Sequence, residues 1–421
     1  MDDYDESINL YSSSSTKKRR NNYYNNNYRN QKNNQKNTHS CIIIILLIIS
    51  ISQFLIIIYL LFSPKFKQNF ENNENNLYNE HNNSFNENKT EDNITISITE
   101  QITYNLNNLN LGKLIFQKEE YKTNKSVIHI AMACDNDNSA VYSTLVSMTS
   151  ALENNNKEKN ILVYHLLLSN NFDMRKISYF ESLKNDYDFV LNYFKIPPVF
   201  KYIGKKWRST ETVEYKLLLS LIYPDIPRMI FLDGDTLIFT DISEMYNLDF
   251  KDNYLLGYPY HTADALDKWD PEDFKIYVNG GVLLFNIDKM RRDNMDLKLL
   301  LFHGLNYTRT HFLEQDSLNY VYKNKIGLLP LKYGVYLFGN VEEYKKEYLY
   351  KMRIDINFTE LGNAIEKPSI VHLCCCNPKV WHKNTQQEKG FNHICQRFQK
   401  EFYFYANKTK YYSEIYNAYM N

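Results

Sequence analysis

The sequence predicts an α/β fold with a mixed, mostly parallel sheet flanked by helices and preceded by one membrane-spanning helix. Three observations predict it. Short apolar runs without alternation, Val127–Cys134 and Ile161–Leu168, suit strands buried on both faces of a parallel sheet. Stretches with helical apolar spacing separate such runs, the pattern of a doubly wound, Rossmann-like sheet. Ahead of them Cys41–Phe62 reads CIIIILLIISISQFLIIIYLLF, with no charge.

The elements follow in order. Residues 1–40 are a polar tail. A spanning helix needs about 20 apolar residues, and 41–62 supplies them. A cleaved signal peptide fits less well, because its apolar core is shorter and a small-residue cleavage site follows it. Lys17, Lys18, Arg19, Arg20, Arg29, Lys32 and Lys36 precede the span, against Lys65 and Lys67 close behind it. That excess orients the amino terminus to the cytoplasm and the rest to the secretory lumen or the cell exterior. Residues 63–126 are polar and Asn-rich, with N-glycosylation sequons beginning at Asn82, Asn88, Asn93 and Asn124, and read as a flexible lumenal stem. Further sequons begin at Asn306, Asn357 and Asn407. The net charge of zero gives no reason to expect nucleic acid. Six cysteines are too few for a disulfide scaffold in a chain of 421 residues.

The globular part spans 127–405 and a C-terminal tail 406–421; the last stretch, 396–421, is Tyr-rich and leaves helix and trailing segment both open. Strands are expected at 127–134, 161–168, 189–194, 229–232, 281–286 and 370–373. Helices are expected at 140–152, 172–183, 212–222, from 288, and from 314 to 322. Pro224 ends the third helix.

Phe231-Leu232-Asp233-Gly234-Asp235 is the most informative stretch. Strand side chains alternate, so Asp233 and Asp235 point to one side and can converge on one cation at the carboxyl end of a strand. Gly234 has no side chain to block a ligand. Hard oxygen ligands in this arrangement suit Mg²⁺ or Mn²⁺ carrying a diphosphate. A turn is the competing reading, since Asp and Gly are common turn residues.

The company of this motif resembles a family. Tyr-Val-Asn-Gly-Gly-Val-Leu-Leu-Phe-Asn follows it, then Glu-Gln-Asp-Ser-Leu-Asn, then Val-His-Leu with Pro-Lys-Val-Trp. In that order over about 127–385, the motifs resemble family 8 of the retaining glycosyltransferases, which includes glycogenin and the galactosyl- and glucosyltransferases of lipopolysaccharide. The resemblance implies a GT-A-type nucleotide-sugar fold and a UDP-sugar donor with Mn²⁺ or Mg²⁺ as cofactor. It makes Asp233, Asp235 and His372 the metal ligands. It places Asp135 at the uracil edge, Asp137 or Asn136 near the ribose, and Lys216 and Lys379 at the donor phosphates or sugar. Asn279 and Gly280 would contact the donor sugar. Glu314, Gln315 and Asp316 would stand at the catalytic position near the anomeric carbon. The core-histidine reading of His372 and the turn reading of Asp135–Asp137 are the plainer alternatives.

Three departures from the family pattern stand out. Glu314 replaces the usual Asp, and Gly280 replaces the usual Ser. Between His372 and Lys379 the usual glycine is absent, the spacing is one residue longer, and Val380 stands for Pro. Cys374, Cys375 and Cys376 do not form a zinc pattern. A bridge from one of them to Cys395 fits an oxidising lumen, and Cys134 fits a buried thiol. The expected protein is a type II membrane enzyme of the Golgi or endoplasmic reticulum that moves glucose, galactose or xylose to a glycan, glycoprotein or glycolipid acceptor. An inactive glycan- or nucleotide-binding relative and an anchored adhesion protein are the rival readings.

Overall fold

In a computed structural model of the chain the described residues are 116–200, 210–260, 276–307, 309–336, 356–374, 379–383 and 393–420. The span predicted over 41–62 and almost all of the stem lie outside them. Among the described residues no helix is long and apolar enough to cross a membrane.

Phe116–Gln117 (β1) pairs antiparallel with a later strand, so the sheet takes in residues that the sequence reading leaves in the stem. Ser126–Cys134 (β2) is followed by the helix Asn138–Asn154 (α1) and by Asn160–Leu168 (β3). All nine residues of β3 are buried, which matches its unbroken apolar sequence. Burying a large apolar side chain contributes about 1.5–3 kcal/mol, so a strand covered on both faces is a main source of stability. The helix expected at 172–183 is broken into two short 3₁₀ pieces around Ile177–Glu181 (α2). Val190–Lys195 (β4) comes next, then a 3₁₀ helix at Glu211–Leu218 that turns α-helical at Leu219–Ile222 (α3). Met229–Leu232 (β5) and Thr236–Ile238 (β6) flank the Asp-Gly-Asp turn. Ser243–Tyr246 (α4), Leu255–Pro259 (β7) and Val278–Phe285 (β8) follow, then Ile287–Arg292 (α5) and Met295–Asn306 (α6). Glu314–Val321 (α7), Ile326–Leu328 (β9), Tyr333–Val335 (β10), Phe358–Glu366 (α8) and Ile370–His372 (β11) lead to His393–Ala406 (α9) and Tyr412–Met420 (α10).

The main sheet has the order β1-β4-β3-β2-β5-β8-β7-β9. Strands β4, β3, β2 and β5 run parallel, while β8 is antiparallel to both β5 and β7. The fold is thus a mixed α/β sheet with a parallel core, as expected. A second sheet has three strands, β10-β11-β6, and its β6 follows β5 directly after the Asp-Gly-Asp turn. In it His372 pairs in register with Thr236, directly beside the Asp-Gly-Asp turn.

Helix α1 is buried through most of its length, from Val141 to Leu152. Its small polar side chains bond back to their own helix: Thr149 Oγ1 donates to Leu145 O at 2.7 Å and Ser150 Oγ to Ser147 O at 2.7 Å. The reason for this burial is the C-terminal segment, which packs instead of trailing. α9 lies against α1, and Ile415 of α10 is fully buried.

Candidate active site

Three ligand atoms from Asp233, Asp235 and His372 lie within 4.8 Å of one another. The turn reading of Asp-Gly-Asp holds, and the two carboxylates still converge. The residues form a turn between β5 and β6, and their carboxylates converge because of that turn, not because of strand alternation. Thr236 Oγ1 donates to Asp233 O at 2.9 Å and Leu373 N to Asp235 O at 2.9 Å, fixing the turn from both sides. Gly234 is required by packing, since a Cβ there would lie 2.5 Å from Thr144 Oγ1 of α1.

His372 is oriented by Asn279. The Nδ1–H donates to Asn279 Oδ1 at 2.9 Å, and the same oxygen accepts from Gly281 N at 2.8 Å. This leaves Nε2 facing the carboxylates, 3.2 Å from Asp235 Oδ1 and 3.5 Å from Asp233 Oδ2. Nε2 is buried, and both carboxylates lie within reach of it. Two carboxylates and an imidazole form a hard, mixed donor set that fits Mn²⁺ or Mg²⁺. Burial lowers the His372 pKa, but Cys374 and the two carboxylates outweigh burial and raise it. Gly281 makes room for the imidazole: a Cβ there would lie 2.0 Å from His372 Cε1.

Two lysines hold the carboxylates. Lys216, only 1% exposed, donates to Glu314 Oε1 at 2.9 Å and to Gly280 O at 2.9 Å, and lies 3.5 Å from Asp233 Oδ1. Burial alone would push its pKa down; Asp233 and Glu314 more than offset this and raise it. Asp233 is held below the usual carboxylate range, because Lys216 and His372 outweigh burial. Lys379 donates to Asp235 Oδ2 at 2.7 Å and to Leu373 O and Cys374 O at 3.3 and 3.2 Å. Lys379 and His372 outweigh burial and likewise depress Asp235. Burial raises Glu314, with Lys216 opposing.

The Glu-Gln-Asp motif opens α7. Gln315 is fixed at both ends of its amide, accepting from Gly280 N at 2.8 Å and donating to Tyr277 OH at 3.1 Å. Leu313, just before the motif, has φ 51° and ψ −119°, a strained backbone for a residue with a Cβ. Asp316 holds that strained loop: its Oδ2 accepts from His311 N at 2.5 Å and Phe312 N at 2.9 Å, and its Oδ1 accepts from Tyr277 OH.

The structure places the other expected site residues as follows. Asp316 is fully buried with both oxygens engaged, so it shapes the loop and does not reach the cleft. Asn279 Oδ1 is engaged by His372 and Gly281, which makes Asn279 a positioning residue for the histidine. Asp137 caps α1 by accepting from Ala140 N at 2.9 Å. Asp135 is half-buried beside it and accepts from Asn136 N at 2.7 Å. Cys134 is a buried thiol whose pKa burial raises to about 12. Cys375, Cys376 and the Cys395 side chain lie outside the described residues, so the expected bridge does too.

Sequence reasoning missed Tyr277, which serves both Gln315 and Asp316. It also missed a buried chain in which His303 links Glu214 and Ser317 at 3.2 and 2.8 Å, tying the Lys216 helix to α7. Tyr277 opens the Tyr-Val-Asn-Gly-Gly motif but is given no role in it, and His303 carries no motif signal, because an isolated His within an apolar run is ordinary core.

The profile of the family described as Glycosyl transferase family 8 matches residues 62–385. General stress protein A of Bacillus subtilis is 25% identical over 214 residues, 48% of this chain and 66% of that protein. The lipopolysaccharide 1,2-glucosyltransferase of Escherichia coli is 24% identical over 233 residues, 53% of this chain and 68% of that one. The chain spans only about half to two thirds of the length of the curated relatives it matches, down to 48% for a putative glycosyltransferase of Haemophilus influenzae. Among solved structures, the galactosyltransferase LgtC in complex with donor and acceptor sugar analogues aligns with a TM-score of 0.55 at 17% identity, covering 67% of this chain and 96% of that one. At that identity the likeness is one of fold.

Proposed function

The chain belongs to glycosyl transferase family 8, and on that premise we propose that it transfers a glucose, galactose or xylose residue from a UDP-sugar to a glycan, glycoprotein or glycolipid acceptor, with retention. The observation that carries this reading is the Asp233–Asp235–His372 cluster with a lysine on each carboxylate. Asp233, Asp235 and His372 would hold Mn²⁺ or Mg²⁺. Bound there, the cation supplies positive charge for the departing diphosphate.

The chain's own groups do the rest. Lys379, a third exposed, can turn from Asp235 to a phosphate oxygen and stabilise the leaving group by charge. Lys216 is fully enclosed, so its task is to hold Asp233 and Glu314 in place. Gly280 offers no side chain beside Gln315 and Glu314, where a Cβ would already lie 3.4 Å from each. Gln315, locked at both amide ends, presents a fixed surface to the anomeric carbon, and Glu314 lies next to it. The basic residues ahead of 41–62 support a type II anchor in the Golgi or endoplasmic reticulum, with the site in the lumen.

The test is transfer or hydrolysis of UDP-glucose, UDP-galactose and UDP-xylose by the full-length protein with Mn²⁺, beside Asp235→Ala. Metal-dependent turnover of one donor, lost in the variant and giving an α-linked product, is expected. Absence of turnover on every donor, or an Asp235→Ala variant as active as the parent, overturns the reading.

A further inference from the structure

The motif ending at Lys379 departs most from the family pattern, yet the three residues after the lysine are fastened, and the fastening comes from outside the family match. Helix α9 lies beyond residue 385, where that match ends. Its Gln399, 5% exposed, donates from Nε2 to Val380 O at 2.9 Å and to His382 O at 3.0 Å. One turn on, Tyr403 donates from its hydroxyl to Trp381 O at 2.5 Å. Positions four apart share one helix face. One face of α9 therefore fixes three consecutive carbonyls, those of Val380, Trp381 and His382, immediately after Lys379. His382 N closes the turn by donating to Lys379 O at 2.9 Å. Trp381 packs on Phe402 of α9 and on Tyr419 of α10, with centroids 5.3 and 6.2 Å apart. Helix α10 is tied in turn to α1 and α2, where Glu414 accepts from Tyr142 and Tyr179 hydroxyls at 2.5 and 2.6 Å.

We infer that Gln399 and Tyr403 are positioning residues for Lys379, and that the C-terminal helix supplies the support that the family's glycine-containing loop lacks here. Packing alone does not need this chemistry. A leucine at 399 would fill the same buried space, whereas a primary amide shared between two carbonyls fixes the backbone direction at the residue following the lysine. The link from these residues to catalysis rests on the proposed role of Lys379 at the donor phosphates.

Two measurements on the full-length protein test it, using Gln399→Leu and Tyr403→Phe. The first is the acetylation rate of Lys379 read by mass spectrometry, with Lys332 as the internal reference. Loss of the Gln399 hydrogen bonds should speed Lys379 labelling by about threefold to tenfold relative to Lys332, and loss of the Tyr403 hydroxyl by about twofold or more. The second is calorimetric binding of UDP with Mn²⁺. Affinity should fall about fivefold to tenfold in Gln399→Leu, and that loss should vanish in a Lys379→Met background, because the residues act through the lysine. Unchanged Lys379 labelling in both variants overturns the inference, as does a loss of UDP affinity that persists in full without Lys379. If the parent protein binds no UDP, the proposed function falls and the labelling rates alone decide the positioning role. If Gln399→Leu does not fold, Tyr403→Phe, which removes one oxygen, carries both measurements.

Discussion

At the proposed metal site Lys379 and a divalent cation would compete for the same carboxylate, so replacing Lys379 with methionine should move two affinities in opposite directions. Lys379 Nζ lies 2.7 Å from Asp235 Oδ2. The site sets three carboxylates, Asp233, Asp235 and Glu314, against two ammonium groups, Lys216 and Lys379. Removing Lys379 deepens the negative potential by one charge. Unit charges 4 Å apart interact by about 4 kcal/mol at an effective dielectric near 20. Lys379 is 34% exposed, and solvent screening together with the freedom of its long side chain cuts this to about 1–2 kcal/mol. Mn²⁺ affinity measured without nucleotide should therefore rise about tenfold in Lys379→Met. UDP affinity in saturating Mn²⁺ should fall about tenfold or more, because a charged hydrogen bond to phosphate is lost. Electron paramagnetic resonance of free Mn²⁺ gives the first number and calorimetry the second. A variant that binds Mn²⁺ more weakly would refute the exchange, since Lys379 would then be supporting the cation site and not occupying it.

Three further outcomes follow from the same contacts. Gly281→Ala places a methyl group inside the His372 ring and should weaken Mn²⁺ binding about 10- to 100-fold, the range for losing a ligand's orientation; unchanged Mn²⁺ affinity would show that His372 is not a ligand. Lys216→Met strands Asp233 and Glu314 without their buried counter-charge and should cost about 3–5 kcal/mol of stability, read by chemical denaturation, with Lys216→Met/Glu314→Gln recovering part of it; a double variant no more stable than the single one would count against the buried pair. His129 and His165 lie 3.0 Å apart on β2 and β3, and burial, first of all, depresses both, His129 to about 4. The unfolded chain takes up protons first, so their contribution to stability is full above about pH 6.5 and is lost as pH falls toward 4. The fall in melting temperature between pH 7 and pH 5 should accordingly shrink in His129→Gln; an equal fall in both proteins would place the pH sensitivity elsewhere.

The parts of the fold legible in the sequence were those whose environment is uniform. β2, β3 and β5 are covered on both faces, so their apolar runs announce them within a residue or two. The segment 211–222 shows helical spacing, but most of it is 3₁₀. Apolar periodicity cannot separate the two at that length; the winding is decided by the need to bring Lys216 under Gly280 and Glu314 under Lys216. β6 and β10 escaped notice because each is three residues long and exists only through its pairing with β11. The C-terminal helices were undecidable because their tyrosines are apolar on one side and polar on the other. What fixes them is partners far off in the chain, Tyr142 and Tyr179 for Glu414 and the 380–382 carbonyls for α9.

At the site, residue types were legible but their division of labour was not. The motif order brought Asp233, Asp235, His372, Lys216, Gln315 and Lys379 into one cluster, which no local pattern could have done. Yet the same motifs contain the scaffolding that holds those groups, and spacing alone assigns both to the ligand. Asn279 orients an imidazole, Gly281 clears room for it, and Asp316 pins a strained loop. Each lies one or two residues from a group that faces the cleft. A motif of this kind is a short length of backbone whose alternate side chains point into the cleft and away from it, the outward ones fixing the aim of the inward ones. Beyond the Lys379 loop, Gln399 and Tyr403 hold the carbonyls of Val380, Trp381 and His382.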